Sequence, residues 1–358
     1  MSDLGDRALD HLRRLAGWPD VSGTRYAVQG ELARGGMGVV YLARDLDLDR
    51  EVALKVIAPE AADAELAARL LREARIIARL EHPGIVPVHD VGTLPDGRVY
   101  YAMKLVTGKR LDVLAGSGLP LRERLRLFLR LCEPVAFAHA HGVIHRDLKP
   151  ENVMVGPFGE VLVMDWGVAK LTAEPPEGSR APAQGGLAAD RPGAPGQGTA
   201  HGTILGTPAY MAPEQARGDL ERVDERADVH ALGAVLYFLL TGHAPGRAPA
   251  DPAAPTRTRV ARAAPPPPGA DFAGSGDVPR RLQAICHKAL AGSPAARYPD
   301  VSGLATDVAR FLEGEPVSAY PEGLWRKTGR LAVRHRTPIL LVLAYLVARA
   351  VLLIVARM

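Results

Sequence analysis

The spacing of apolar residues changes once along this chain of 358 residues, and that change restricts the fold more than any bulk property does. Between residues 26 and 106 the apolar runs are short and β-like. Tyr26-Ala27-Val28, Val39-Val40-Tyr41-Leu42 and Val52-Ala53-Leu54-Lys55-Val56-Ile57 predict an antiparallel meander, and two more strands are expected near 85–92 and 98–106 around a Pro95-Asp96-Gly97 turn. One interruption, 64–80, carries Leu66, Leu70, Leu71, Ala74, Ile77 and Leu80 at helical spacing. From 121 onward the period is mostly helical. Leu125, Phe128, Leu131, Cys132, Val135 and Ala138 form one face of a long helix. Residues 228–241 are apolar nearly all round and predict a buried helix, with further helices near 279–291 and 301–313.

A hydrophobic content of 47% permits a packed core and excludes wholesale disorder. The two cysteines, Cys132 and Cys286, sit in apolar helical patterns and read as reduced core residues of a cytosolic compartment. His11, His139, His141 and His243 lack zinc-ligand spacing. A net charge of +4 suits an acidic partner or a membrane surface, but basic residues are not interleaved with aromatics, so no nucleic-acid partner is expected. Leu4, Ala8, Leu9, Leu12 and Leu15 predict a helix at 4–16 within an N-terminal extension, 1–25. The acidic first residues do not resemble a signal peptide. Residues 171–200 carry five Pro and six Gly, and 244–279 nine Pro; both are expected to be mobile surface insertions. No internal repeat is visible.

Residues 145–152 read His-Arg-Asp-Leu-Lys-Pro-Glu-Asn, and Asp165-Trp166-Gly167 follows after a short hairpin. Phosphoryl transfer can use such a set. One carboxylate, Asp147, receives or orients a hydroxyl proton, while the Asn152 amide and the Asp165 carboxylate hold Mg²⁺ against nucleotide phosphates. Upstream, Leu32-Ala33-Arg34-Gly35-Gly36-Met37-Gly38-Val39-Val40 lies between two strands, where glycines let backbone N–H groups approach phosphate. Taken alone, that stretch reads equally well as an ordinary turn. Lys55 ends an apolar strand, and an inward-pointing cation there needs an anionic partner.

The eight-residue string resembles the catalytic loop of eukaryotic-type (Hanks-type) protein kinases, and the resemblance covers roughly 26–313, most like the bacterial serine/threonine branch. It implies a two-lobed α+β kinase fold, with a β-rich small lobe about 26–106 and a mostly helical large lobe about 107–313. It implies that Lys55 meets the nucleotide phosphates and Glu73, that Asp147 is the catalytic base, that Lys149 neutralises the transferred group and that Asn152 and Asp165 bind Mg²⁺ beside ATP. The nucleotide pocket is expected to include Leu32, Ala33, Gly35, Gly36, Met37, Gly38 and Val40, with Met103 gating it and Lys104 to Val106 as the hinge. Ala33 departs from the family's usual Gly, Lys104 from its usual acid, and Trp166 from its usual Phe. The segment from Asp165 to Glu214 would be the activation segment, with Thr207 near Asp147 and Lys149, Thr203 the first choice of phosphosite, Thr199 the next, and Arg146 the phosphate's partner. Glu214 would pair with Arg297, and Asp228 would brace the catalytic loop. The function implied is a protein serine/threonine kinase acting in signal transduction, able to autophosphorylate, with a homodimer for trans-autophosphorylation compatible with it. A pseudokinase scaffold and a small-molecule phosphotransferase are the alternatives.

The C-terminal region adds a membrane expectation. Residues 326–336 carry five Lys/Arg and no acid within a basic linker, 314–337, and residues 338–356 are apolar except for Arg349. That run is long enough to span a bilayer as a single-pass helix, with the kinase on the cytoplasmic side. Only two residues follow it, so no external sensor domain is expected on this chain.

Overall fold

The computed structural model describes residues 18–35, 38–57, 64–167, 169–171, 209–219, 223–245, 272 and 278–320, with Tyr345 and Arg349 as isolated residues beyond them. Strands β1 (Tyr26–Gly35), β2 (Gly38–Asp45), β3 (Arg50–Val56), β4 (Val88–Thr93) and β5 (Val99–Lys104) form one antiparallel sheet in the order β1-β2-β3-β5-β4. Helix α1 (Ala64–Ala78) connects β3 to β4. The pleat sorts the side chains of β3. Val52, Leu54 and Val56 join Tyr26, Val39, Tyr41, Tyr100 and Ala102 in one core cluster. The opposite face meets α1, where Leu70 and Ala74 pack with Ile57, Val99 and Tyr101. Lys55 belongs to this second face by its position in the alternation. Gly38 is required by close approach, because a Cβ there would stand 2.3 Å from the Val56 carbonyl oxygen.

The remainder is mostly helical: β6 (Lys109–Arg110), α2 (Leu111–Ala115), α3 (Leu121–Ala140), β7 (Val143–Ile144), β8 (Val153–Val155), β9 (Val161–Val163), β10 (Lys170–Leu171), α4 (Pro213–Ala216), α5 (Arg226–Thr241), α6 (Arg280–Ala289) and α7 (Val301–Leu312). Strands β6, β8 and β9 make a small sheet, and β7 pairs with β10. Helix α5 is buried on almost every side, as its apolar circumference demands, and it ends at Gly242 in the left-handed region at φ 83°. Its Leu232, Val235 and Leu236 share a core with Phe128, Leu131 and Val135 of α3, Ile285 of α6, and Leu304 and Val308 of α7. Each such fully buried side chain contributes about 1.5–3 kcal/mol relative to exposure. Cys132 and Cys286 are free thiols inside this core, and burial pushes both thiols up.

One surface expectation needs correction. Phe272 and Val278 lie within 244–279, yet both are buried, and the Phe272 ring packs 5.2 Å from Tyr237 and 5.6 Å from His287. A lone aromatic in a Pro- and Ala-rich stretch is a burial signal that average composition conceals. The rest of 246–277, residues 172–200 and the expected helix 4–16 lie outside the described residues. Among the described residues no helix is long and apolar enough to cross a membrane; the run 338–356 falls outside them apart from Tyr345 and Arg349.

The chain after α7 folds back onto it. The buried Asp307 carboxylate accepts from the Ser318 N–H (2.7 Å), the Ser318 hydroxyl (2.7 Å), the Tyr298 hydroxyl (2.8 Å) and the Ala319 N–H (3.0 Å). Burial by itself would raise its pKa and is the largest single influence, but these donors together hold the carboxyl below its ordinary value. A depressed folded-state pKa means stability that is present above the unfolded value near 3.8 and lost as pH falls through the lower folded one. Asp307→Asn should therefore cost about 1–3 kcal/mol at pH 7, with the difference from wild type shrinking below pH 4. Urea unfolding followed across pH checks this; a pH-independent difference would contradict it.

Candidate active site

Four strands bring the small-lobe residues into one line. Ala33 pairs across the sheet with Val40, Val40 with Lys55, and Lys55 with Tyr101. Directly opposed residues of an antiparallel ladder share a face, so these four, and Met103 opposite Ala53, stand on the face of the sheet that meets α1. The Lys55 ammonium is buried and carries two carboxylates. Its Nζ stands 2.8 and 3.1 Å from the Glu73 oxygens and 3.3 Å from Asp165 Oδ1. The Tyr101 hydroxyl donates to Glu73 Oε1 at 2.8 Å, and the Tyr101 ring lies 5.6 Å from the ammonium. Burial alone would lower the Lys55 pKa and is the largest influence, yet the surrounding Tyr101, Glu73 and Asp165 reverse it and the value is raised. Burial likewise works to raise Asp165, and the Lys55 charge overcomes it and holds that carboxyl below its ordinary value.

The catalytic string occupies the loop between β7 and β8. Lys149 Nζ is 2.7 Å from Asp147 Oδ2, and the Asn152 amide donates to the Asp147 carbonyl (2.9 Å) and to Oδ2 (3.3 Å). The His145 ring accepts from the Asp147 N–H at Nδ1 (3.3 Å), so its Nε2 carries the proton and donates to the Met164 carbonyl at 3.1 Å. Trp166 is buried under that imidazole, 4.6 Å between ring centroids. Among the described residues only three non-glycines have positive φ, and two of them are here: Arg146 at 70° and Asp165 at 60°. Such conformations cost of order 1–3 kcal/mol and persist only where the surroundings fix them. Arg146 is held from both sides. Asp228 Oδ1 accepts its N–H (2.9 Å), and the Gln215 amide donates to its carbonyl (2.9 Å). Asp228 Oδ2 accepts hydrogen bonds from the His145 N–H and from His139 Nε2, each at 2.8 Å. Burial works against the ionised Asp228 most strongly, but His139 and the backbone donors keep its pKa below the ordinary value.

The buried Glu214 lies against Arg297 in a two-pronged ion pair, 2.6 and 2.8 Å, and the guanidinium also donates to the carbonyls of Ala291, Gly292 and Arg226. Leu32 and Gly35 lie along β1, Leu32 half exposed. Lys104 closes β5 with its N–H given to the Pro87 carbonyl, and Val106 follows, half-buried. Gly36, Met37, Thr199, Thr203 and Thr207 fall outside the described residues. Sequence reasoning gave no role in the site to Tyr101, His139, His145, Gln215 or Arg69, whose Nε donates to the Gly167 carbonyl at 3.0 Å. Only the immediate proximity of His145 to Asp147 offered a local cue; the others act across the fold.

The donor set suits a hard cation. Asn152 uses its amide N–H on Asp147 and keeps its oxygen, and Asp165 gives one oxygen to Lys55 and keeps the other. Among the described residues no three His, Cys, Asp or Glu gather to form a closed metal cage. Mg²⁺ is held in just this sparse way, by one or two protein oxygens completed by water and phosphate.

The sequence pattern that defines the protein kinase domain matches residues 26–299. Serine/threonine-protein kinase PknD of Chlamydia felis is 37% identical over 310 residues, covering 82% of this chain and 31% of the relative. PknB of Mycobacterium tuberculosis is 37% identical over 304 residues, 82% of this chain and 44% of the relative. The chain thus spans under half the length of these curated relatives. The crystal structure of the Mycobacterium tuberculosis PknI kinase domain superposes with a TM-score of 0.57 at 27% identity, over 81% of this chain and 98% of that one.

Asp228→Asn replaces an acceptor oxygen by an amide NH2, a donor facing backbone donors. It should destabilise the domain by about 1–3 kcal/mol and release Arg146 from its left-handed conformation. Chemical unfolding together with amide exchange at residues 143–149 measures both, and unchanged exchange there would refute the clamp.

Proposed function

The chain belongs to the protein kinase family, and from that membership we propose that it transfers the γ-phosphoryl group of ATP to serine or threonine hydroxyls of proteins. The observation that carries this reading is the buried Lys55 bridging Glu73 on α1 and Asp165 on the loop after β9. A cation so placed offers its field to polyphosphate while remaining paired on the protein side. Asp147, fixed by Lys149 and Asn152, is the group that receives or orients the proton of the attacking hydroxyl. Lys149 neutralises charge on the group in transit, and its presence two residues after Asp147 supports hydroxyls of Ser/Thr over Tyr. Asn152 and Asp165 hold Mg²⁺, which when bound neutralises phosphate charge. Leu32, Ala33, Val40 and Met103 enclose the base, and the hinge from Lys104 to Val106 meets it with backbone groups. Because Lys104 gives its N–H to Pro87, a contact from this residue to the base would use its carbonyl. Catalysis here is positioning and electrostatics rather than covalent chemistry.

Arg146 and Thr203 are the proposed switch, a phosphate on Thr203 pairing with the guanidinium, and trans-phosphorylation between two copies is the proposed route to it. Incubation with radiolabelled ATP and Mg²⁺ should label wild type and leave Asp147→Asn unlabelled. Mapping of the product should find phosphate at Thr203. Equal labelling of the two proteins would sink the enzyme reading, and Thr203→Ala with unchanged turnover would sink the switch.

The basic linker and the run 338–356 support a single-pass anchor with the kinase on the cytoplasmic face. Arg349 near the middle costs about 2.5–3.5 kcal/mol on insertion scales, which roughly ten strongly apolar neighbours and snorkelling of its long side chain offset. Membranes carrying the full chain should retain it through alkaline carbonate washing; release into the supernatant would exclude a span.

A further inference from the structure

Arg69 stands one helical turn before Glu73 on α1, so the two side chains leave the same face of the helix. Glu73 reaches Asp165 indirectly, through Lys55. Arg69 reaches the same loop directly, its Nε donating to the carbonyl of Gly167, two residues past Asp165. The contacts close a ring: Asp165 carboxylate, Lys55, Glu73, one turn of α1, Arg69, the Gly167 carbonyl, and back along the chain to Asp165. Within the ring Asp165 sits at φ 60°, a left-handed conformation that is uncommon for an L-residue and persists where its surroundings hold it. The upstream flank is fixed by the Met164 N–H on the Asn152 carbonyl (2.9 Å) and by the Val163 N–H on the Gly84 carbonyl (2.8 Å). Downstream, Trp166 is wedged against His145, its carbonyl accepts the Ala169 N–H (3.0 Å), and Arg69 grips Gly167.

We propose that Arg69 is a positioning residue for the metal-binding carboxylate, its grip on the Gly167 carbonyl holding Asp165 in the orientation seen here. The Lys55–Glu73 pair alone fixes only the distance from the helix to the Asp165 side chain. The second contact, on backbone and on the far side of Asp165, fixes which way the carboxylate faces. The donor is an ionised guanidinium on a neutral carbonyl, which makes it stronger than an ordinary neutral hydrogen bond.

This rests on Asp165 acting as a metal ligand, and the test separates the two claims. Mn²⁺ affinity in the presence of ADP is measured by electron paramagnetic resonance on the full chain, and ADP affinity without metal by calorimetry. Amide exchange of residues 163–167 is followed in nucleotide-free protein. Arg69→Ala should weaken Mn²⁺ about tenfold, the equivalent of one charge-assisted hydrogen bond, with ADP alone changed less than about twofold. It should also speed exchange at 163–167. Arg69→Lys, whose ammonium can still donate to the Gly167 carbonyl, should recover part of both effects, and it carries the test if the alanine variant does not fold. A lowered unfolding midpoint with Mn²⁺ affinity and exchange unchanged would reduce Arg69 to a structural tie and overturn the proposal. Equal loss of ADP affinity with and without metal would also overturn it, by showing damage to the whole cleft. If wild type itself binds neither ADP nor Mn²⁺, the kinase reading fails before this one.

Discussion

A buried ammonium organises this molecule. Lys55 lies on the inner face of a sheet whose other face is solid core, and an isolated charge there would cost many kilocalories per mole. It is tolerable because α1 brings Glu73 from one side and the loop after β9 brings Asp165 from the other. The pair is therefore a constraint on three separate elements, one of them in the other lobe. Tyr101 extends the constraint by holding Glu73 with its hydroxyl while its ring lies near the cation. The elements that must converge to neutralise Lys55 are the same ones that would surround a bound triphosphate.

The large lobe answers a different demand. The loop between β7 and β8 contains Arg146 in a left-handed conformation, and such a residue needs over-determination. Helix α5 supplies Asp228 and α4 supplies Gln215 to the Arg146 backbone, and α3 supplies His139 to Asp228, so three helices converge around one residue. Below them, Glu214 and Arg297 tie α4 to the segment before α7. Burial of α5 on nearly all sides gives these contacts a stiff base, because a helix in close-packed surroundings cannot yield to one strained residue.

Much of this is legible in the amino-acid sequence. The shift from alternating to helical spacing marked both lobes, and the strings around Asp147 and Asp165 marked the loop, because each is a local pattern read within a few residues. The Pro-rich stretch 244–279 misled in part, since its composition masked Phe272, which fills a gap beside Tyr237 and His287. Asp307 gave no cue either. It reads as an ordinary polar residue of an amphipathic helix, and only the return of the chain at Ser318 and Ala319 turns it into a buried acceptor of four hydrogen bonds.

Residue type and spacing by themselves singled out the candidate groups for chemistry: a lysine ending an apolar strand, an acid and an amide five residues apart, a second acid after a hairpin. Tertiary structure alone decided which of those groups touch and what holds them there. Arg69 and Gly167 are 98 residues apart, and His139 and Asp228 are 89 apart. Side-chain periodicity reports the face on which a residue stands. The partner it meets depends on how whole elements close around a core, and that closure is set by burial and by the need to satisfy every enclosed charge.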